Sequence, residues 1–82
     1  MKLVVHPGET LVEFLENRNM NQKELAYKTG FPETYINAIK NGDAPITSAF
    51  AKALENVFNE ISAKFWINLQ SIYDMELINQ KK

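Results

Sequence analysis

The stretch Gln22–Gly42, QKELAYKTGFPETYINAIKNG, decides the fold. Its small, turning and apolar residues are spaced for two short helices that cross at a tight angle. Ala26 offers a small side chain where one helix approaches the other closely. Four residues on, Gly30 can take the left-handed conformation that ends a helix abruptly. Pro32 fits the first turn of a second helix and pushes Phe31 out of the α region. Leu25, Phe31, Ile36 and Ile39 are the apolar residues that close the corner. This is helix-turn-helix spacing, in which the second helix is the element that enters a DNA major groove.

Working outward, Lys2–Val5 is a short β-branched run that reads as an extended arm or a small edge strand. Pro7 and Glu9 then stand where the N1 and N3 residues of a helix belong, with His6 before them as cap. Leu11, Phe14 and Leu15 follow at i, i+3 and i+4. Asn21 suits the cap of helix two, and Asn41-Gly42 stops helix three. Asp43-Ala44-Pro45 is a turn, Thr47 or Ser48 caps helix four, and Phe50, Ala53, Leu54 and Val57 form its apolar stripe. Ser62 caps a fifth helix. The expected architecture is all-α: a single domain over residues 1–82, with an arm at 1–6 and helices at 8–18, 22–29, 32–40, 47–58 and 62–79.

Helix five carries more apolar surface than one packing seam needs. Phe65, Leu69, Ile72 and Tyr73 share a face that can pack on helices one and four, while Trp66, Ile67, Met75 and Ile78 lie round the sides. In so small a domain the surplus would form an exposed patch. Burial in a homodimer is the expectation, and a two-fold dimer is what a helix-turn-helix protein needs to read two half-sites. The alternative is that Trp66 closes the core of the monomer.

Composition narrows the function. The chain has 82 residues, enough for one small core, and no cysteine, so neither a disulfide framework nor a thiolate metal site is expected. A reducing, cytoplasmic setting follows from the same count, and no apolar run approaches a membrane span or a secretory leader. His6 is the sole histidine, and the acids Glu13 and Glu16 lie on an exposed helix face with no second catalytic group beside them. No phosphate-cradling glycine loop is present. No catalytic residue, metal or cofactor is therefore expected. The net charge of −1 is unusual for a nucleic-acid binder, although local placement of charge matters more than the total.

In the helix-turn-helix frame the candidate contacts divide by chemistry. Gln22 opens helix two and should meet a phosphate beside the free N–H groups of that helix end. Lys23, Lys28 and Lys40, with Asn41, are candidate phosphate contacts that set position without reading sequence. Base reading falls to Glu33, Thr34 and Asn37, with Tyr35 at the edge. Asn37 can bond an adenine edge in two places, Thr34 offers a hydroxyl or a methyl, and Glu33 can accept from a cytosine amino group. The competing reading is that these are solvated residues on an amphipathic helix.

His6-Pro7-Gly8-Glu9, the segment Gln22–Gly42, Ile46-Thr47, and FWINLQ (65–70) with Tyr73-Asp74 together resemble a HigA-type antitoxin of the Xre (Cro/C1-type) helix-turn-helix repressors. The resemblance spans about His6 to Asp74 and implies the lambda-repressor-like fold. It implies a protein that neutralises a co-expressed toxin similar to the RelE or HigB mRNA endonucleases, and that represses the shared operon as a dimer on an inverted-repeat operator. The chain departs from the pattern at Glu33 and Asp43, which are acidic where polar or basic residues are common, and in a helix four–five link without glycine. The toxin-facing candidates are the acidic stripe Glu9, Glu13 and Glu16, suited to a basic partner, and the apolar arm Leu3, Val4 and Val5, suited to strand addition. A stand-alone repressor without a toxin, or an interaction module that has lost DNA binding through Glu33 and Asp43, are the alternatives.

Overall fold

In the computed structural model, which describes residues 6–80, the chain forms five helices and no β-strand among those residues. They are α1 (Pro7–Asn17), α2 (Gln22–Thr29), α3 (Glu33–Lys40), α4 (Ser48–Val57) and α5 (Ala63–Gln80). The arm residues Leu3, Val4 and Val5 lie outside the described residues. No helix among the described residues is long and apolar enough to cross a membrane.

The helix ends follow local chemistry. Pro7 is the first residue of α1, where its missing N–H costs nothing. His6 precedes it in extended backbone, but its side chain makes no capping bond, so its role as a cap is confined to the main chain. Asn21 caps α2 by accepting from the Glu24 N–H at 2.7 Å, and Thr47 caps α4 by accepting from the Phe50 N–H at 3.3 Å. Pro32 stands at the N-cap of α3, one position before the first helical residue. Past α1, Asn19 takes a left-handed φ of 52°, and the Met20 N–H reaches back to the Leu15 carbonyl at 2.9 Å. Gly42 repeats the device after α3, with the Asp43 N–H bonded to the Ala38 carbonyl at 2.7 Å.

The core is built from Leu11, Leu15, Leu25, Ile36, Ile39, Ile46, Phe50, Leu54, Phe58 and Trp66. Trp66 is fully buried, with its ring edge-on to Phe14 at 5.0 Å. This corrects its assignment to a dimer interface: the indole closes the monomer core. The register of α5 explains the difference. Trp66, Leu69, Gln70, Tyr73 and Leu77 form the inward stripe, and at about 100° per residue Phe65 and Ile72 fall to its edge. Ile72 is accordingly 60% exposed rather than packed on α1 and α4. At the same end of the molecule the Arg18 guanidinium covers the Phe14 and Phe58 rings at 4.8 and 4.9 Å and pairs with Glu60.

Two helix backbones meet closely at Gly8. A Cβ placed there would lie 2.0 Å from the Ile39 carbonyl oxygen, so the α1 backbone rests directly on α3. Gly30 differs: its φ is +78°, yet nothing lies within 4 Å of an added Cβ. Gly8→Ala must separate two backbones and is expected to destabilise the domain by about 3 kcal/mol. Gly30→Ala meets only the left-handed penalty, about 1 kcal/mol. Urea unfolding of the two variants tests this ranking, and equal losses would show that the α1–α3 contact yields easily.

Candidate nucleic-acid interface

The α2–α3 corner is held by side chains as well as by its core. The Thr29 hydroxyl donates to the Leu25 carbonyl at 2.8 Å and accepts from the Phe31 N–H at 3.3 Å, so one atom bridges the end of α2 and the turn. Gly30 continues the chain in left-handed backbone, its N–H bonded to the Ala26 carbonyl at 2.9 Å. Gln22 then joins α2 to both ends of α3. Its Nε2 donates to the Glu33 carbonyl at 3.3 Å, and its Oε1 accepts from Lys40 Nζ at 3.0 Å.

With Ile36 and Ile39 buried, α3 presents the opposite side to solvent. Glu33, Thr34, Asn37 and Asn41 are all exposed there, at the i, i+1, i+4 and i+8 spacing of a single helical stripe. Tyr35 does not belong to it. Its ring stacks on Phe31 at 5.4 Å and meets Phe50 edge-on at 5.2 Å, and its hydroxyl donates to the Pro45 carbonyl at 2.7 Å. This corrects the assignment of Tyr35 to base reading: its hydrogen-bonding atom is turned towards the α3–α4 link and supports the helix from behind.

Among the phosphate candidates, Lys23 and Lys28 are exposed on α2, whereas Gln22 and Lys40 are half-buried and bonded to each other. The pair sits beside the first-turn amides of α2, which helical geometry leaves without carbonyl partners. The acids Glu33 and Asp43 are exposed at either end of the α3 region. Glu9, Glu13 and Glu16 are exposed along α1. Among the described residues no group of three His, Asp or Glu is placed to hold a metal ion.

The remote motifs of the sequence converge behind this corner. The His6 ring lies edge-on to Tyr73 at 6.0 Å and covers Gly42, where an added Cβ would come within 3.3 Å of it. Gln70 Oε1 accepts from the Ile46 N–H at 2.8 Å, and its Nε2 donates to Asp74 at 3.0 Å. A cavity of about 180 Å³ remains between the start of α1, the α3–α4 link and α5.

A helix-turn-helix family model matches residues 11–76. Over 98% of its length the chain also superposes, with a TM-score of 0.91 and 34% identity, on 87% of an addiction module antidote protein of the HigA family from Coxiella burnetii. The chain belongs to the HigA branch of the Xre-type helix-turn-helix family. A Pseudomonas aeruginosa antitoxin HigA solved with the higBA promoter matches 96% of the chain at 31% identity and a TM-score of 0.90, with 86% of that chain covered. Virulence-associated protein A of Dichelobacter nodosus is 35% identical over 80 residues, 96% of this chain and 78% of that protein. The fold is therefore that of a HigA-like, DNA-binding helix-turn-helix repressor, with α2 and α3 as its two motif helices.

Thr29 and Gln70 were not singled out as individual contacts in the sequence. Both are uncharged polar residues whose importance comes from the backbone groups they meet. Gln70 did leave a signal, since it ends the FWINLQ stretch that carries the family resemblance. Thr29→Val keeps shape and removes the hydroxyl's bonds to Leu25, Ala26 and Phe31, leaving the Phe31 N–H without that acceptor. A loss of about 1 kcal/mol is expected in thermal or urea unfolding, and an unchanged midpoint would show that solvent serves the turn equally well.

Proposed function

We propose that this chain is the antitoxin of a type II toxin–antitoxin pair, which represses its own operon as a dimer on an inverted-repeat operator. In this reading it also neutralises a RelE/HigB-like mRNA endonuclease by direct binding. The observation that carries the reading is the exposed stripe of Glu33, Thr34 and Asn37 on an α3 clamped from both ends by Gln22, in a fold matched along nearly its whole length by an antitoxin solved with promoter DNA. It is a binding protein rather than an enzyme, and it acts in the cytoplasm.

Asn37 and Thr34 read base edges, and Glu33 accepts from a cytosine amino group. Lys23, Lys28, Lys40, Gln22 and Asn41 hold phosphates. Two copies meet through α5, where Ile67, Met75 and Ile78, joined by Ile72, leave 37–60% of their surface exposed. A two-fold pairing of that face covers it and sets two α3 helices one DNA turn, about 34 Å, apart. The toxin, an RNA-cutting protein and hence basic, meets the Glu9, Glu13 and Glu16 face of α1, where charge complementarity speeds encounter. Leu3, Val4 and Val5 complete that contact by strand addition.

The exposure of Glu33 and Asp43 favours one competing reading, an interaction module that no longer binds DNA, because unpaired carboxylates are repelled by phosphates. Selection from a random duplex library at low and moderate salt decides between them. Recovery of an inverted repeat supports the repressor, and recovery of nothing at either salt supports the module. On a recovered operator, Asn37→Ala is expected to lose about 1–3 kcal/mol of discrimination at one base pair. Lys23→Ala should weaken all duplexes alike and reduce the salt slope by about one. In sedimentation experiments Met75→Asp should shift the protein from dimer to monomer with its helical circular dichroism intact; a variant that stays dimeric would move the interface elsewhere.

A further inference from the structure

The link Pro45-Ile46-Thr47 lies between α3 and α4 and belongs to neither helix. The Pro45 carbonyl and the Ile46 and Thr47 N–H groups have no helical partner, yet all three meet side chains. The Pro45 carbonyl accepts from the Tyr35 hydroxyl at 2.7 Å, the Ile46 N–H donates to Gln70 Oε1 at 2.8 Å, and the Thr47 N–H approaches the Tyr35 oxygen at 3.5 Å. Ile46 is 4% exposed, so water is a poor substitute at its N–H.

The two side chains come from different helices. Tyr35 lies on α3 and Gln70 on α5, so the link is gripped at once by the motif's second helix and by the helix with the uncovered apolar face. Both grips are oriented. Phe31 and Phe50 hold the Tyr35 ring on two sides, and Asp74 accepts from Gln70 Nε2 and so fixes which end of the amide faces Ile46. Apolar packing between helices is non-directional, whereas hydrogen bonds weaken steeply when bent. These bonds therefore add directional constraints between α3 and α5 to the apolar packing that each helix makes with its neighbours.

We propose that Tyr35 and Gln70, meeting on the Pro45–Thr47 link, are positioning residues that fix the angle of α3 to α5 and thereby the half-site spacing that the dimer accepts. The inference rests on the reading of α5 as the dimer face. One inserted base pair moves a half-site by about 3.4 Å and turns it by about 35°, so a rigid pair of reading helices tolerates few spacings and a loosened pair tolerates more.

The test uses the full chain and the inverted repeat recovered from the duplex library, with the central spacing shortened or lengthened by one and two base pairs. Tyr35→Phe keeps the ring packing and removes the hydroxyl. Gln70→Ala removes the acceptor of the Ile46 N–H. Each is expected to lower the affinity ratio between the best and the altered spacings by roughly threefold or more, a size typical of mutations along a coupling path, while preference at the base pair read by Asn37 stays as in the wild type. The double variant Gln70→Glu/Asp74→Asn keeps an acceptor for Ile46 and exchanges donor and acceptor in the second bond, and it should restore the ratio. A loss of affinity that is equal at every spacing would overturn the inference and leave the dimer reading intact. A wild-type protein that is monomeric, or that yields no inverted repeat, overturns both.

Discussion

Two eight-residue helices cannot hold their own shape in water, and that constraint organises the molecule. α2 and α3 are each eight residues long. They persist because Leu25, Ile36 and Ile39 are buried together against Leu11, Phe50 and Leu54. Placing the direct backbone contact of α1 at Gly8 puts the Ile39 end of α3 against a longer helix. Once those apolar residues turn inward, the outward stripe of α3 follows from helical periodicity alone. The exposed polar face of α3 is thus a by-product of core burial.

Burial sets which side faces out, and a few uncharged polar side chains that meet backbone groups add directional bonds to it: Thr29 at the turn, Gln22 across the start of α2, and Tyr35 and Gln70 on the link to α4. Each meets a backbone group near a helix end or in a connecting segment. The same residue types on an open helix would be indifferent surface. Here they convert a loosely specified corner into one with defined geometry, which is what discrimination between base pairs requires.

The residues that carry the family resemblance are largely of this supporting kind. His6, Gly8, Gln70, Tyr73 and Asp74 lie behind α3 and bind its flanking loops to α1 and α5. The chain, with Glu33 and Asp43 at exposed positions, superposes closely on a HigA-family protein at 34% identity.

The helix-turn-helix, the five-helix architecture and the outward placement of Glu33, Thr34 and Asn37 were legible in the residues themselves. Spaced apolar positions, Gly30, Asn21 and Thr47 act locally, and local chemistry is what a sequence displays. α5 was not legible in the same way. Its apolar residues lie on nearly every side, so periodicity could not say whether Trp66 or Ile72 turns inward, and tertiary packing buried the indole and exposed the isoleucine. Tyr35 failed for a related reason: its place on α3 was clear, but the partner of its hydroxyl lies ten residues away, at Pro45. Sequence by itself determined which helices form and which face of α3 is polar, because both depend on neighbours within a turn or two. Only the tertiary structure decided which polar residues support α3 and which stay exposed, because that choice depends on contacts between segments far apart in the chain.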